Sequence, residues 1–187
     1  MAFTSKDVKI LQKRAFPPGV HGQNRSRLSE YGAQLREKQK AKISYGLMER
    51  QFEIYFKKAL RQTGVTGDNL LKLLETRLDN VVYRLGFAET RAQARQLVSH
   101  GFLEVNAKKV DIPSYQVRVG DKVGIRPAKQ KKAYIEKLKE KLKGVKTLDW
   151  LELNESLLSG KVLSAPRVDA LGSEINTQLI VEHYSRT

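Results

Sequence analysis

The sequence predicts an α+β protein of two lobes: a mostly helical lobe, and a small module of two helices packed on a short antiparallel sheet, preceded by an extended basic N-terminal arm. Three observations carry this reading. Apolar residues recur at helical spacing over 47–75. Two shorter helical patterns, each ending at a glycine, lead into strand-length pieces over 102–126. Residues 1–46 are basic and almost free of apolar periodicity. The expected segments are thus 1–46 for the arm, 47–75 for the helical lobe closed by 174–187, 76–127 for the module, and 128–173 for a Lys-rich helix with an irregular extension.

Within the arm, Pro17-Pro18-Gly19 and the scattered Gly22, Gly32 and Gly46 predict mostly extended chain, with a short helical stretch around Ala33–Lys42. From Leu47 onward, Met48, Phe52, Tyr55, Phe56 and Ala59 form one helical stripe that ends at Gly64 and Gly67. Asn69 is placed to cap the next helix, whose Leu70, Leu71, Leu73 and Leu74 are the densest apolar cluster in the chain. In the module, Leu78, Val81, Val82 and Leu85 keep helical period up to Gly86, a residue suited to the position after a helix end. Thr90 with Gln93 matches a capping box, so a second helix is expected from Arg91 to His100, stopping at Gly101.

Beyond it, Phe102–Val105, Lys109–Ile112, Tyr115–Val119 and Lys122–Arg126 are strand candidates, separated by Asn106-Ala107, Pro113-Ser114 and Gly120-Asp121. Alanine tolerates positive φ poorly, so Asn106-Ala107 predicts a turn other than type I′ and a looser or shifted hairpin. Ile135, Leu138 and Leu142 amid lysines predict an exposed helix ending at Gly144. No element is assigned within 148–173. Ile175, Leu179, Ile180 and Tyr184 predict a last helix that packs back on 47–75.

The chain of 187 residues carries a net charge of +15, which points to a polyanionic partner. Residues 1–62 hold fourteen basic side chains against five acidic ones, and 128–147 hold eight against two, whereas the last forty residues are acidic. Two basic surfaces explain this better than a uniformly solubilised one. Arg25, Arg27, Arg36, Lys38 and Lys40 belong to the first and are candidate phosphate contacts. The arm that bears them has too little apolar surface to order by itself.

The helix from Arg91 is the sharpest local feature. At about 100° per residue, Ala94, Leu97 and Val98 share one arc and Arg91, Arg95 and Ser99 another. Two guanidiniums one turn apart can fork onto backbone phosphates, and Arg91 sits where the helix dipole favours an anion. A merely solvated face would carry the same residues. The surrounding positive charge favours phosphate.

With no cysteine, disulfides, Cys-based zinc sites, iron–sulfur clusters and thiol nucleophiles are removed together, and neither cofactor nor metal is expected. No apolar run approaches the eighteen or so residues of a membrane span, and the start lacks the h-region of a signal peptide, so a soluble, cytoplasmic, unprocessed chain is expected. His21, His100 and His183 are far apart, and no HExxH, GxSxG or Walker loop occurs, so no enzyme is expected. Asp79 gives pause, because some RNA-modifying enzymes use an Asp within a short Arg-Leu-Asp signature. Its place in the first turn of a helix accounts for it more simply.

Several long stretches carry a resemblance: PPGVHG at 17–22, RLSEYGAQLREKQKAK at 27–42, YGLMERQF at 45–52, LLKLLETRLDNVVYRLGFAETRAQARQLVSHGFLEVN at 70–106, IPSYQVRVGD at 112–121 and LIVEHYSR at 179–186. Together they resemble the bacterial-type small-subunit ribosomal protein four family. That resemblance implies a primary small-subunit rRNA binder that nucleates assembly of the subunit body at a multi-helix junction and contributes to translational accuracy. It implies rRNA and neighbouring small-subunit proteins, ribosomal proteins five and twelve, as partners, with mRNA at its entrance, and a ribosome-bound location. The family's module motif falls on Arg77, Arg84, Arg91, Arg95, Gln96, Ser99, His100 and Asn106, the candidate RNA contacts. Some relatives carry an N-terminal cysteine cluster for zinc, which this composition cannot supply. The alternatives are an RNA-modifying enzyme or free RNA-binding regulator with the same two-helix module, and a nonspecific DNA binder acting by bulk charge.

Overall fold

The computed structural model describes residues 29–130, 134, 135, 138, 142, 147–154, 156–167 and 175–186. The chain divides into two compact units, Met1–Leu70 with Ser173–Thr187, and Leu71–Gly172.

In the first unit, α1 spans Glu30–Ser44 and α2 spans Glu49–Leu60. The short helical stretch expected around Ala33–Lys42 is present and extends to both sides, so the chain is helical rather than extended from Glu30 to Ser44. Ser29 caps α1 by accepting the Gly32 N–H at 3.2 Å, and the helix runs fifteen residues. Its buried face consists of Gln34, Lys38 and Ala41, spaced as a helical stripe but mostly polar, so apolar periodicity does not reveal it. Each polar member has a partner: Gln34 donates to Glu182 at 3.2 Å and Lys38 to Glu49 at 2.6 Å.

Phe52, Tyr55, Phe56 and Ala59 of α2 are buried as expected, whereas Met48 caps the helix and lies 76% exposed, outside the stripe. Asn69 does not cap the next helix, α3 (Thr66–Glu75), but sits inside it and donates to the carbonyls of Gln62 and Thr63, closing the loop after α2.

The last helix, α6 (Thr177–Ser185), closes this unit on α1 and α2. Ile180 is fully buried, and the Tyr184 ring stacks on Phe56 with centroids 4.3 Å apart. Glu49 ties the three helices together, accepting from Lys38 at 2.6 Å, Lys42 at 2.8 Å and the Tyr184 hydroxyl at 3.5 Å. Burial pushes the Glu49 carboxyl up, but hydrogen bonds from Lys38 and Lys42 and their charge outweigh it and hold it below the ordinary glutamate value. His183 is held below the ordinary histidine value by burial and by Lys38, with Glu49 opposing.

In the second unit, α4 (Leu78–Arg84) and α5 (Arg91–Ser99) lead into β1 (Leu103–Val105), β2 (Lys108–Lys109), β3 (Lys122–Ile125), β4 (Leu151–Asn154) and β5 (Ser159–Val162). They form one antiparallel sheet in the order β2-β1-β3-β5-β4. The sheet is wider than the module alone predicts, because 148–173 supplies two strands. Their signal is the alternation Leu151-Glu152-Leu153-Asn154, whose leucines face inward beside Val162 and Gly160. Gly160 admits α4 to the sheet: a Cβ there would lie 2.4 Å from Leu85 Cδ2. Ile135, Leu138 and Leu142, expected on an exposed helix, are helical but buried in this core with Val81, Val98, Val123 and Trp150.

Two strand expectations change. Lys109–Ile112 contracts to a two-residue β2, and Tyr115–Val119 is no strand, for its backbone is spent on the start of α4. The hairpin is also tighter than expected. Val105 pairs with Lys108, leaving Asn106 and Ala107 as a two-residue loop at φ 51° and 62°, the positive pair that defines type I′. Asn106 compensates by donating to Asp121 at 2.8 Å and accepting the Lys122 N–H at 2.9 Å.

Replacing Ala107→Gly relieves an alanine in the left-handed region, against glycine's extra chain entropy. Stability in urea should rise by about 0.5–1 kcal/mol; an unchanged or lower midpoint contradicts the turn. In the first unit, the lowered His183 and Glu49 values both mean that the unfolded chain binds more protons. Stability should fall as pH drops below about 6.5, where the unfolded histidine charges, and fall again below the ordinary glutamate value of 4.5. His183→Asn should remove the upper limb and Glu49→Gln the lower, read as thermal midpoints through the Tyr31 and Tyr184 ring signals. A midpoint constant from pH 8 to 4 contradicts this.

Candidate nucleic-acid interface

The helices break at Thr76-Arg77, and the loop at 113–117 takes over the backbone groups that the break exposes. Leu78 N–H donates to Tyr115 at 2.8 Å, Asp79 N–H to Pro113 at 3.2 Å, and Val117 N–H to Thr76 at 2.9 Å. Gln116 completes the join, accepting from the Thr76 hydroxyl and donating to the Leu73 carbonyl.

Inside the break are two acid–base pairs. Arg77, only 1% exposed, donates Nε and Nη2 to the two oxygens of Asp79 at 3.1 and 2.9 Å. Asp79 also accepts the Asn80 N–H, so it is the first-turn carboxylate that the sequence implies, engaged internally. Glu75, fully buried, accepts from Arg84 Nε and Nη2 at 3.0 and 2.8 Å and from Asn80 Nδ2 at 2.7 Å. Asn80 Oδ1 in turn accepts Arg91 Nε at 2.8 Å, and the Arg91 guanidinium lies 4.6 Å from the centre of the Tyr83 ring.

The α5 helix starts at Arg91 because Thr90 accepts the Gln93 N–H, while Gln93 reaches back to the Glu89 N–H. Ala94 and Val98 are fully buried and Leu97 packs on the same core. Arg91 and Arg95 are therefore half-exposed along one edge, with Gln96, Ser99 and His100 exposed beside them. Of the eight motif residues, Arg91, Arg95 and Ser99 thus share one edge of α5, and Gln96 and the C-cap His100 lie farther round its exposed side. The other three point elsewhere: Arg77 is interior, Arg84 is paired with Glu75, and Asn106 is occupied in the hairpin turn.

Of the arm residues, Arg25 and Arg27 lie outside the described residues. Arg36 is exposed on α1, Lys40 lies 3.8 Å from Glu37, and Lys38 turns inward to Glu49.

Glu75, Asn80 and Tyr83 were not legible as site residues, since the helix break separates them from any single period. A second basic face was legible and unused. Arg50, Lys57 and Arg61 with Ile54 lie on the side of α2 opposite its buried stripe, all exposed. The period that marks the buried side marks that face too.

Among the described residues no group of three His, Asp or Glu side chains could hold a metal, and no helix is long and apolar enough to cross a membrane.

Residues 3–75 match the Ribosomal protein S4/S9 N-terminal domain and residues 76–123 the S4 domain. The chain is 53% identical over 190 residues to small ribosomal subunit protein uS4 of Chloroflexus aurantiacus, covering all of this chain and 92% of that one. The same protein of Roseiflexus castenholzii is 54% identical with the same coverage, and that of Thermodesulfovibrio yellowstonii 53% identical over 94% of this chain and 84% of its own. With arginines displayed on one edge of a two-helix module and full-length identity above half, the chain belongs to the uS4 family of small ribosomal subunit proteins.

Proposed function

We propose that this protein is a structural, rRNA-binding constituent of the small ribosomal subunit, and that the exposed side of α5 contacts the RNA through the edge bearing Arg91, Arg95 and Ser99, with Gln96 and His100 beside it. Identity of 53–54% along the whole chain to proteins named for that subunit is the observation that carries the reading. The physical support is local. A half-exposed arginine pair on a helix held by its own core can meet two phosphates without refolding.

The finer roles rest on the family and on charge. Basic groups in two separate parts of the sequence suit an RNA folded around a multi-helix junction, whose assembly the protein would nucleate. Accuracy, contact with ribosomal proteins five and twelve, proximity to mRNA at its entrance, and residence on cytoplasmic ribosomes belong to the same proposal. Arg77 and Arg84 enter it as supports of the module, and Asn106 as the residue that pins the hairpin. The RNA-modifying alternative loses its one candidate acid, since both Asp79 oxygens are engaged by Arg77.

The protein should sediment with the small subunit after a high-salt wash, and should bind small-subunit rRNA far more tightly than duplex DNA of equal charge. Equal affinity for the two would leave only bulk charge. Because α1 is part of the first unit, the arm is tested by deleting residues 1–28, which carry six basic side chains. If about half of them touch phosphate, the slope of log affinity against log salt should fall by roughly two to three. An unchanged slope removes the arm from the interface.

A further inference from the structure

We infer that Asn80, oriented by the buried carboxylate of Glu75, is a positioning residue that presets the Arg91 guanidinium for the RNA backbone; this rests on the proposed contact through Arg91. Asn80 is 2% exposed, and its Nδ2 faces two acceptors of the same residue, the Glu75 carboxylate at 2.7 Å and the Glu75 carbonyl at 3.0 Å. An amide has donors only on its nitrogen side. Two acceptors on one side therefore fix the flip and turn Oδ1 the other way, where it meets Arg91 Nε at 2.8 Å.

The reversed amide would present N–H groups to a guanidinium that has no acceptor, and its oxygen to the carboxylate and the carbonyl of Glu75. Arg84 completes the arrangement by pairing with Glu75 at 2.8 Å, which sets a cation against the buried carboxylate.

The Nε bond and the Tyr83 ring at 4.6 Å together set both the position and the tilt of the Arg91 plane. An arginine is long and loses much rotamer freedom when it docks; one already held loses less, so affinity gains without any added contact. The chain Arg84, Glu75, Asn80, Arg91 spans three helices of one unit. Its members lie 9, 5 and 11 residues apart in sequence along the successive bonds.

The test is a double-mutant cycle on the full chain, with affinity for full-length small-subunit rRNA and the unfolding midpoint read in parallel. Asn80→Ala should weaken binding about tenfold, the size of one lost charge-assisted bond, and should shift the Arg91 Nε–H resonance of the free protein. In an Arg91→Ala background the same substitution should leave affinity unchanged while still lowering the midpoint. Tyr83→Leu, which keeps the amide network, should show the same disappearance and serves if Asn80→Ala fails to fold. Equal losses in both backgrounds overturn the positioning role and leave the Arg91 contact standing. No loss from Arg91→Ala alone overturns the contact itself.

Discussion

A carboxylate at zero exposure is the feature on which the second unit depends. Left unpaired, Glu75 would cost several kcal/mol of desolvation, and no apolar neighbour could offset that. Its compensation comes from the next helix, where Asn80 and Arg84 donate three side-chain bonds to it. The end of α3 and the whole of α4 are therefore locked in one orientation by the bonds this charge requires. Arg77 and Asp79 repeat the device within the break itself. Removing one member of such a buried pair typically costs about 3–5 kcal/mol.

Around this polar knot the apolar core supplies most of the stability and little of the direction. Leu85 reaches the sheet only because Gly160 has no side chain, and Ala94 and Val98 hold α5 against it. What the knot adds is specificity: the register of helix against helix that decides where Arg91 and Arg95 emerge. In the first unit Glu49 plays a comparable part for α1, α2 and α6, yet it is 44% exposed in its side chain, so its contribution is screened and depends on pH.

The sequence made some of this legible and hid the rest for physical reasons. The stripe of α2, the capped start of α5 at Thr90, the stop at Gly86 and the closing helix near Tyr184 all follow from apolar period and cap chemistry. The edge of α5 was legible as a wheel. Hidden were the full length of α1, whose buried face is Gln34, Lys38 and Ala41, and the internal partners of Arg77 and Asn106, which are Asp79 and Asp121. Ala107 misled because its strained φ is held by side-chain bonds from Asn106 to the next strand. The strands at 151–162 were missed because a buried Leu158 at φ 49° and a glycine interrupt a short alternation.

The central claim is that the α5 edge meets rRNA phosphate while the core beneath it is independent of that contact. Arg91→Glu combined with Arg95→Glu separates the two, since it turns two attractions into two repulsions on a partly exposed face. The decisive measurement is the affinity of this variant for full-length small-subunit rRNA, beside its urea midpoint. The expected result is a loss of about a hundredfold or more, with unfolding still cooperative and a midpoint lowered by no more than the lost Arg91–Asn80 bond accounts for, about 1–3 kcal/mol. An affinity equal to that of the unaltered protein, with the fold intact, would contradict it.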